Sequence, residues 1–397
     1  MSAPADTVRA RKRVLAVMSL IAFATSLFGR AVDPNIPQIA HDLAVSAETT
    51  ALLSTGFALP FALVQPILGP LADMLGKTRI MTVCLAILVA AAFAAAFAPS
   101  FEILMASRMI AGAASGGIFP IALALVGDLV PVGERHVAIG RYLAYVISGG
   151  LLGTTFAGVV GDLAGWRGVL VIFAAGGVLA LIAGIVGFRG MATGTPIRIE
   201  LGTIPAAYRT IFANPRAKVC FSAVFLEGVA VFGVFPYVAL LLLQRGEGSA
   251  SIAGLVLAGF AAGGVAYSLV IRLLVGRLLP SRLMIGGGVG AALALVGAGL
   301  GATWPVELAN FALLGFSFYM LHSCIQMQAT ELAPNARGAA MALHSFSFFL
   351  GQAIGPVLYG LGLAHGGPAL TVTAGAAVLL AVGIACSRLL GDRTTPE

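Results

Sequence analysis

The chain is predicted to be an all-α membrane protein, with twelve transmembrane helices in two pseudo-symmetric six-helix bundles. Three observations predict this: very few charges, twelve apolar runs of membrane-spanning length, and an internal repeat. Of the 397 residues, 59% are hydrophobic and 10% charged, whereas soluble domains carry about 25% charged residues. A water-facing surface for a chain of this size cannot be made from so few charges. A bilayer span needs roughly 20 apolar residues at 1.5 Å rise each, so the apolar excess is accounted for by helices buried in lipid. The 51 glycines suit close packing between such helices.

The apolar runs predict helices 1 to 6 over 14–36, 50–72, 79–98, 101–126, 137–160 and 168–188. Helices 7 to 12 are predicted over 217–243, 251–275, 283–302, 305–328, 338–362 and 368–390. Backbone polar groups have no water to bond in lipid, so runs of this length must be helical. The corresponding domain organisation is a tail (1–13), a first bundle (14–188), a linker (189–216), a second bundle (217–390) and a second tail (391–397). Basic residues at Arg9, Arg11, Lys12 and Arg13 before an apolar run resemble a signal peptide. That run is long and further spans follow it, so it is expected to remain as the first helix. Within the linker, 202–212 has the pattern of a short amphipathic helix on a membrane surface.

Orientation follows from charge. With the first residues in the cytoplasm and each span changing sides, all of the 23 basic residues except Arg30, Arg108, Arg167 and Arg245 fall at cytoplasmic segments or helix ends. This is the positive-inside asymmetry of a multi-pass inner-membrane protein, and it predicts both termini in the cytoplasm. The net charge of +7 is spread over short loops, which argues for topology and against nucleic acid as a partner. Cys84, Cys220, Cys324 and Cys386 lie in or beside apolar runs without metal-ligand spacing and read as small hydrophobes.

The halves repeat at an offset of 202–203 residues. Gly56-Phe57-Ala58 matches Gly259-Phe260-Ala261, and Asp128-Leu129-Val130-Pro131 matches Glu331-Leu332-Ala333-Pro334. Thr78-Arg79-Ile80-Met81 matches Ser281-Arg282-Leu283-Met284. In helices 5 and 11, Gly149, Gly153 and Gly158 match Gly351, Gly355 and Gly360. Six spans per half make the repeats parallel, related by an axis along the membrane normal, and two such bundles can rock around a central site.

Between helices 2 and 3 stands Gly69-Pro-Leu-Ala-Asp73-Met-Leu-Gly76-Lys77-Thr-Arg79. This loop resembles the signature of the major facilitator superfamily, with Met74 where that family often has Arg. The resemblance implies a cytoplasmic gate, in which Asp73 caps a facing helix or pairs with a base and Gly76 makes the turn. Helix 4 carries Arg108 four residues before Gly112, again similar to the family's pattern. Seven residues from Phe101 place it roughly 10 Å deep, where a charge demands a partner or a watery cavity, and it reads either as a group in substrate or proton coupling or as a clamp on backbone carbonyls. Helix 5, with Gly149, Gly153 and Gly158, resembles the drug–proton antiporter branches, although Thr154 replaces the usual Pro. Helix 11 keeps Pro356 after Gly351 and Gly355. Plain helix packing explains these glycines equally well.

Four further features complete the candidate site. Asp33, before Pro34 at the end of helix 1, is similar in position to an acid of the drug–proton antiporter and sugar-efflux branches. It reads either as a group binding protons or a cationic substrate, or as a helix cap with Arg30 as its partner. Glu227 lies nine residues after Lys218, roughly 13 Å along helix 7. A carboxyl at that depth reads as a proton carrier or as a protonated group hydrogen-bonded between helices. Pro236 offers a kink later in the same helix. His322, Gln326, His344 and Gln352 are polar positions on helices 10 and 11, the first two at i, i+4 spacing.

No hydrolase, kinase or metal pattern and no nucleotide-binding loop is present in the sequence. The expectation is therefore a non-enzymatic, monomeric transporter without cofactor, whose partners are a small-molecule substrate, protons and the bilayer. The resemblance implies export of drug-like or sugar-like compounds by proton antiport with alternating access. The alternatives are a uniporter or proton symporter of the same fold, and, more distantly, a membrane enzyme or receptor.

Overall fold

A computed structural model describes residues 5–189, 209–275, 277–300, 303–333 and 337–391. The linker except its ends, most of the proposed amphipathic segment and the last residues lie outside the described ones. The described residues form an all-helical protein with ten continuous stretches long and apolar enough to cross a membrane. Two of these are double. Val132–Gly187 and Arg337–Leu389 are each interrupted by one non-helical glycine, Gly165 (φ 68°) and Gly367 (φ 74°). At about 1.5 Å per residue each would far exceed a bilayer if straight, so each is two spans and the total is twelve.

The spans are α1 (Ala5–Gly29, continued by Ile36–Asp42), α2 (Ala47–Leu75), α3 (Lys77–Ala96), α4 (Phe101–Leu129), α5 (132–164) and α6 (166–187). The second half comprises α7 (Pro215–Phe232, continued by Val238–Gln244), α8 (Ala250–Val275), α9 (Pro280–Gly299), α10 (Trp304–Glu331), α11 (337–366) and α12 (368–389). Three differences from the expected boundaries have local causes. α1 begins nine residues early, because its basic first turns remain helical as they leave the apolar zone. The loops expected at 161–167 and 363–367 shrink to single glycines, which alone tolerate this positive φ at no steric cost. α1 and α7 are not continuous. Each breaks into a 3-10 turn, Asp33–Asn35 and Phe235–Tyr237, around Pro34 and Pro236, which lack an N–H for the helical ladder.

The repeat is reproduced in the packing. A Cβ on Gly149 would meet the Phe23 carbonyl at 2.5 Å, and one on Gly351 would meet the Phe225 carbonyl at 2.1 Å. A Cβ on Gly112 would run into the Phe57 carbonyl, and one on Gly315 into that of Phe260. In every pair both partners are shifted by 202 or 203 positions, so the same crossings of α1 with α5, and of α2 with α4, recur as α7 with α11 and α8 with α10. Small residues allow helices to approach backbone to backbone where lipid offers no hydrophobic driving force.

Three apolar cores fill the structure. One contains only residues between Val14 and Phe188, and one, near the termini, only residues between Ile211 and Leu390. The third, on the side away from the termini, joins Ile36 and Ala51 of the first half to Val234, Tyr237 and Leu242 of the second. On that same side Asp162, in α5, accepts hydrogen bonds from the Ala250 and Ser251 backbone N–H groups (2.9 and 2.8 Å) and from the Ser249 hydroxyl (2.8 Å). The carboxylate thus caps the first turn of α8 across the junction of the halves, favoured by the positive end of the helix dipole. The structure is therefore closed on the side away from the termini.

Candidate functional site

The break in α1 builds the first cluster. Where the helix unwinds after Gly29, the Phe28 carbonyl accepts a long bond from the Ala31 N–H (3.4 Å), and the last carbonyls of a helix lack their i+4 donors. Arg108 of α4 takes their place, donating from Nη1 to Phe28 (2.9 Å) and from Nη2 to Gly29 (3.2 Å). Its guanidinium lies 4.5 Å from the centre of the Phe57 ring and is 2% exposed. Of the two readings of this residue, the clamp on backbone carbonyls is the arrangement seen.

Asp33 is fully buried. Its Oδ1 accepts from Ser54 Oγ (2.6 Å) and its Oδ2 pairs with Arg30 Nη1 (3.3 Å). It makes no side-chain cap to the turn it begins. Nor does it stand at a cavity mouth, and a cationic substrate would have to displace Arg30 to reach it. Arg30 reaches across the halves, donating from Nη2 to Gln352 Oε1 of α11 (2.9 Å). Its guanidinium sits over Phe232 and Phe235 at 4.8 and 4.9 Å. Phe232 is the residue 202 positions after Arg30, so the two repeat-related side chains touch.

The second cluster lies in the second half. Glu227, fully buried, has Oε2 2.7 Å from His322 Nδ1, so one proton is shared between α7 and α10. Next to it, a Cβ on Gly228 would meet the Phe348 carbonyl of α11 at 2.5 Å, so α7 and α11 approach backbone to backbone there. The His322 ring is stacked on Phe318 (4.9 Å) and tilted against Phe348 (4.8 Å), and His344 meets its edge at 5.1 Å. Glu227 Oε1 and His344 Nε2 are buried without a hydrogen-bond partner among the described residues. The polar groups of α10 and α11 thus divide. His322 and His344 join Glu227, Gln352 joins Arg30, and Gln326 is exposed, apart from both clusters.

An aromatic wall connects the clusters. Phe61 of α2 meets Phe349 of α11 at 4.4 Å, Phe349 meets Phe348 at 5.3 Å, and Phe348 meets Phe232 at 5.6 Å. The sequence reading did not single out these phenylalanines. In so apolar a chain only the contacts of Phe232 with Arg30 and of Phe348 with His322 distinguish them. Two other clefts of about 450 Å³ run beside α7 and α12, lined chiefly by aliphatic side chains such as Val219, Leu226 and Val382 in one and Leu358, Leu370 and Val378 in the other. Neither contains a carboxylate. At the turn between α2 and α3, Gly76 has φ 98° and Lys77 pairs with Asp128 at the end of α4 (2.6 Å), while Arg79 is exposed. The surroundings of Gly69 and the side chain of Asp73 lie outside the described ones. In α5 and α11, Gly153 faces Leu27 and Gly355 faces Val229, Gly158 faces Ala250 of α8, and the Pro356 carbonyl accepts from Tyr237 Oη (2.8 Å).

Among solved structures, the fold is similar to a bacterial homologue of the human lysosomal transporter Spinster in an inward-facing, unoccupied conformation. The TM-score is 0.71 at 19% identity, over 95% of this chain and 93% of the other. A D-xylose–proton symporter gives 0.75 at 15% identity over 97% and 98%. In sequence, the uncharacterized MFS-type transporter YfhI of Bacillus subtilis is 25% identical over 381 residues, covering 95% of this chain and 93% of that protein. Quinolone resistance protein NorA of Staphylococcus aureus is 30% identical over 155 residues, 39% of this chain and 40% of its own length. The family model described as Major Facilitator Superfamily matches residues 18–356 and 220–397. With twelve helices in two repeated bundles, the chain is a multi-pass membrane protein belonging to the Major Facilitator Superfamily.

Proposed function

We propose that this transporter exports small, drug-like molecules by proton antiport, with Glu227 and Asp33 as the groups that gain and lose the proton. The observation that carries the reading is the Glu227–His322 pair, a fully buried carboxyl sharing a proton with a ring only 14% exposed. A charge held at that depth is costly unless paired or near water. The carboxyl therefore keeps its proton when the space between the halves is dry, and gives it up when water reaches His322. Asp33 differs in being held by Arg30 and Ser54. Similarity to part of NorA supports drug-like over sugar-like cargo.

In this cycle residues 14–188 and 217–390 rock against each other as two bodies around the central site. The side bearing the termini is the cytoplasm, as the distribution of arginine and lysine indicates, and the host membrane is the bacterial inner membrane. Closure of the far side by Asp162 and α8 makes the described state the one that loads from the cytoplasm. The turn with Gly76 and the Lys77–Asp128 pair belongs to the gate that closes afterwards.

The test is substrate-dependent proton movement in proteoliposomes, with wild type beside Glu227→Gln and Asp33→Asn. Proton flux that accompanies substrate in wild type and disappears in either variant is expected. Substrate movement with no proton flux, unchanged in both variants, would remove the antiport mechanism and leave a uniporter of the same fold.

A further inference from the structure

The ionisable groups between the halves are not equally reachable. Asp33 and Glu227 have fully buried side chains, whereas the Arg30 side chain is 20% exposed. Arg30 has five N–H donors in a planar fork, and two hydrogen bonds hold it, to Asp33 and to Gln352. The bond to Gln352 is to a neutral amide, which a carboxylate displaces readily because a charge-assisted, bidentate pair is the stronger one. Beside it run the half-buried rings of Phe348, Phe349 and Phe61, joined to Arg30 through Phe232. Flat aromatic faces next to a reachable guanidinium, with both acids sealed away, form a site for an aromatic anion. A cation would find an arginine in its way and no carboxylate within reach.

We infer that the transported substrate is an aromatic carboxylate, whose ring packs along Phe61, Phe349 and Phe348 and whose carboxylate replaces Gln352 on Arg30. The inference rests on the transport reading above and adds the substrate class. It gives Arg30 and Gln352 the role of specificity residues. No covalent step is involved.

The experiment measures binding to the purified full chain in lipid nanodiscs, using three probes of one shape: 2-naphthoate, 2-naphthalenemethanol and protonated 2-naphthylmethylamine. Wild type is expected to prefer the carboxylate over the amine by about tenfold or more, the scale of one charge-assisted hydrogen bond. Arg30→Gln is expected to erase that preference. Phe349→Ala is expected to weaken all three probes alike. The preference of wild type needs no variant, so misfolding of Arg30→Gln does not rescue the idea. Equal or tighter binding of the amine overturns it, and so does failure of all three probes below millimolar concentration. Proton movement in proteoliposomes is read separately. Carboxylate selectivity without proton flux leaves this inference standing and removes antiport, while proton flux driven equally well by the amine does the reverse.

Discussion

The two halves share one scaffold and differ in chemistry. In the first half, α1 breaks at Asp33-Pro34 and gathers Arg30, Asp33 and Arg108 around the unwound carbonyls. In the second, α7 breaks at Phe235-Pro236, and phenylalanines stand where the first half has Arg30 and Asp33. Phe232, Phe235, Phe260 and Phe318 pack against one another there. The carboxyl of α7 sits instead at Glu227, about one and a half turns before Phe232, against a histidine of α10. Duplication thus preserved what backbone packing requires, glycines facing carbonyls. The polar groups, which packing does not dictate, diverged into a guanidinium-centred cluster and an imidazole–carboxyl one.

If the division is functional, its largest consequence concerns transport. His322→Phe keeps a ring between Phe318 and Phe348 but leaves Glu227 without its partner. The variant is expected to fold normally and to lose about tenfold or more of its proton-coupled transport in proteoliposomes. Activity near wild type would show that the second cluster only packs helices. In the first cluster Arg108→Ala removes two charge-assisted bonds from the carbonyls at the broken end of α1. A loss of about 3 kcal/mol is expected, read as a lower melting temperature in detergent. An unchanged melting temperature would mean that the clamp carries no stability.

The shared scaffold has smaller signatures. Gly112→Ala and Gly315→Ala each drive a methyl into a backbone carbonyl of the neighbouring helix, and each is expected to cost about 1–3 kcal/mol. Matched losses sharpen the comparison, whereas tolerance at one site alone breaks it. Gly165→Ala and Gly367→Ala meet no atom within 4 Å. Only the positive φ opposes them, so about 1 kcal/mol is expected at each, again by thermal unfolding.

Much of this architecture was legible in the chain before any contact was known. Hydropathy is a local property, so the spans could be read within a few residues. The repeat could be read because paired glycines are demanded by the same close approach in each half. Pro236 announced the break in α7. Pro34 carried the same signal in α1, yet the helix was expected to run on to residue 36, and the one-glycine hairpins at Gly165 and Gly367 were expected to be loops. Asp33 was open between two readings that tertiary packing narrowed, since only burial beside Ser54 and Arg30 removes it from the reach of a cation.

The linear pattern of apolar runs, arginines and glycines determined the membrane, the number of crossings and the twofold plan, because each depends on residues near one another in sequence or on a repeated period. Which polar side chains meet was decided by packing alone. Arg30 and Gln352 are 322 residues apart, and Glu227 and His322 are 95 apart. No local periodicity encodes the rotation of one helix against another, and in lipid that rotation is set by small residues, shape and a few buried bonds. For that reason His322 and Gln326, adjacent on one helical face, end in different surroundings, one closed around a carboxyl and the other exposed.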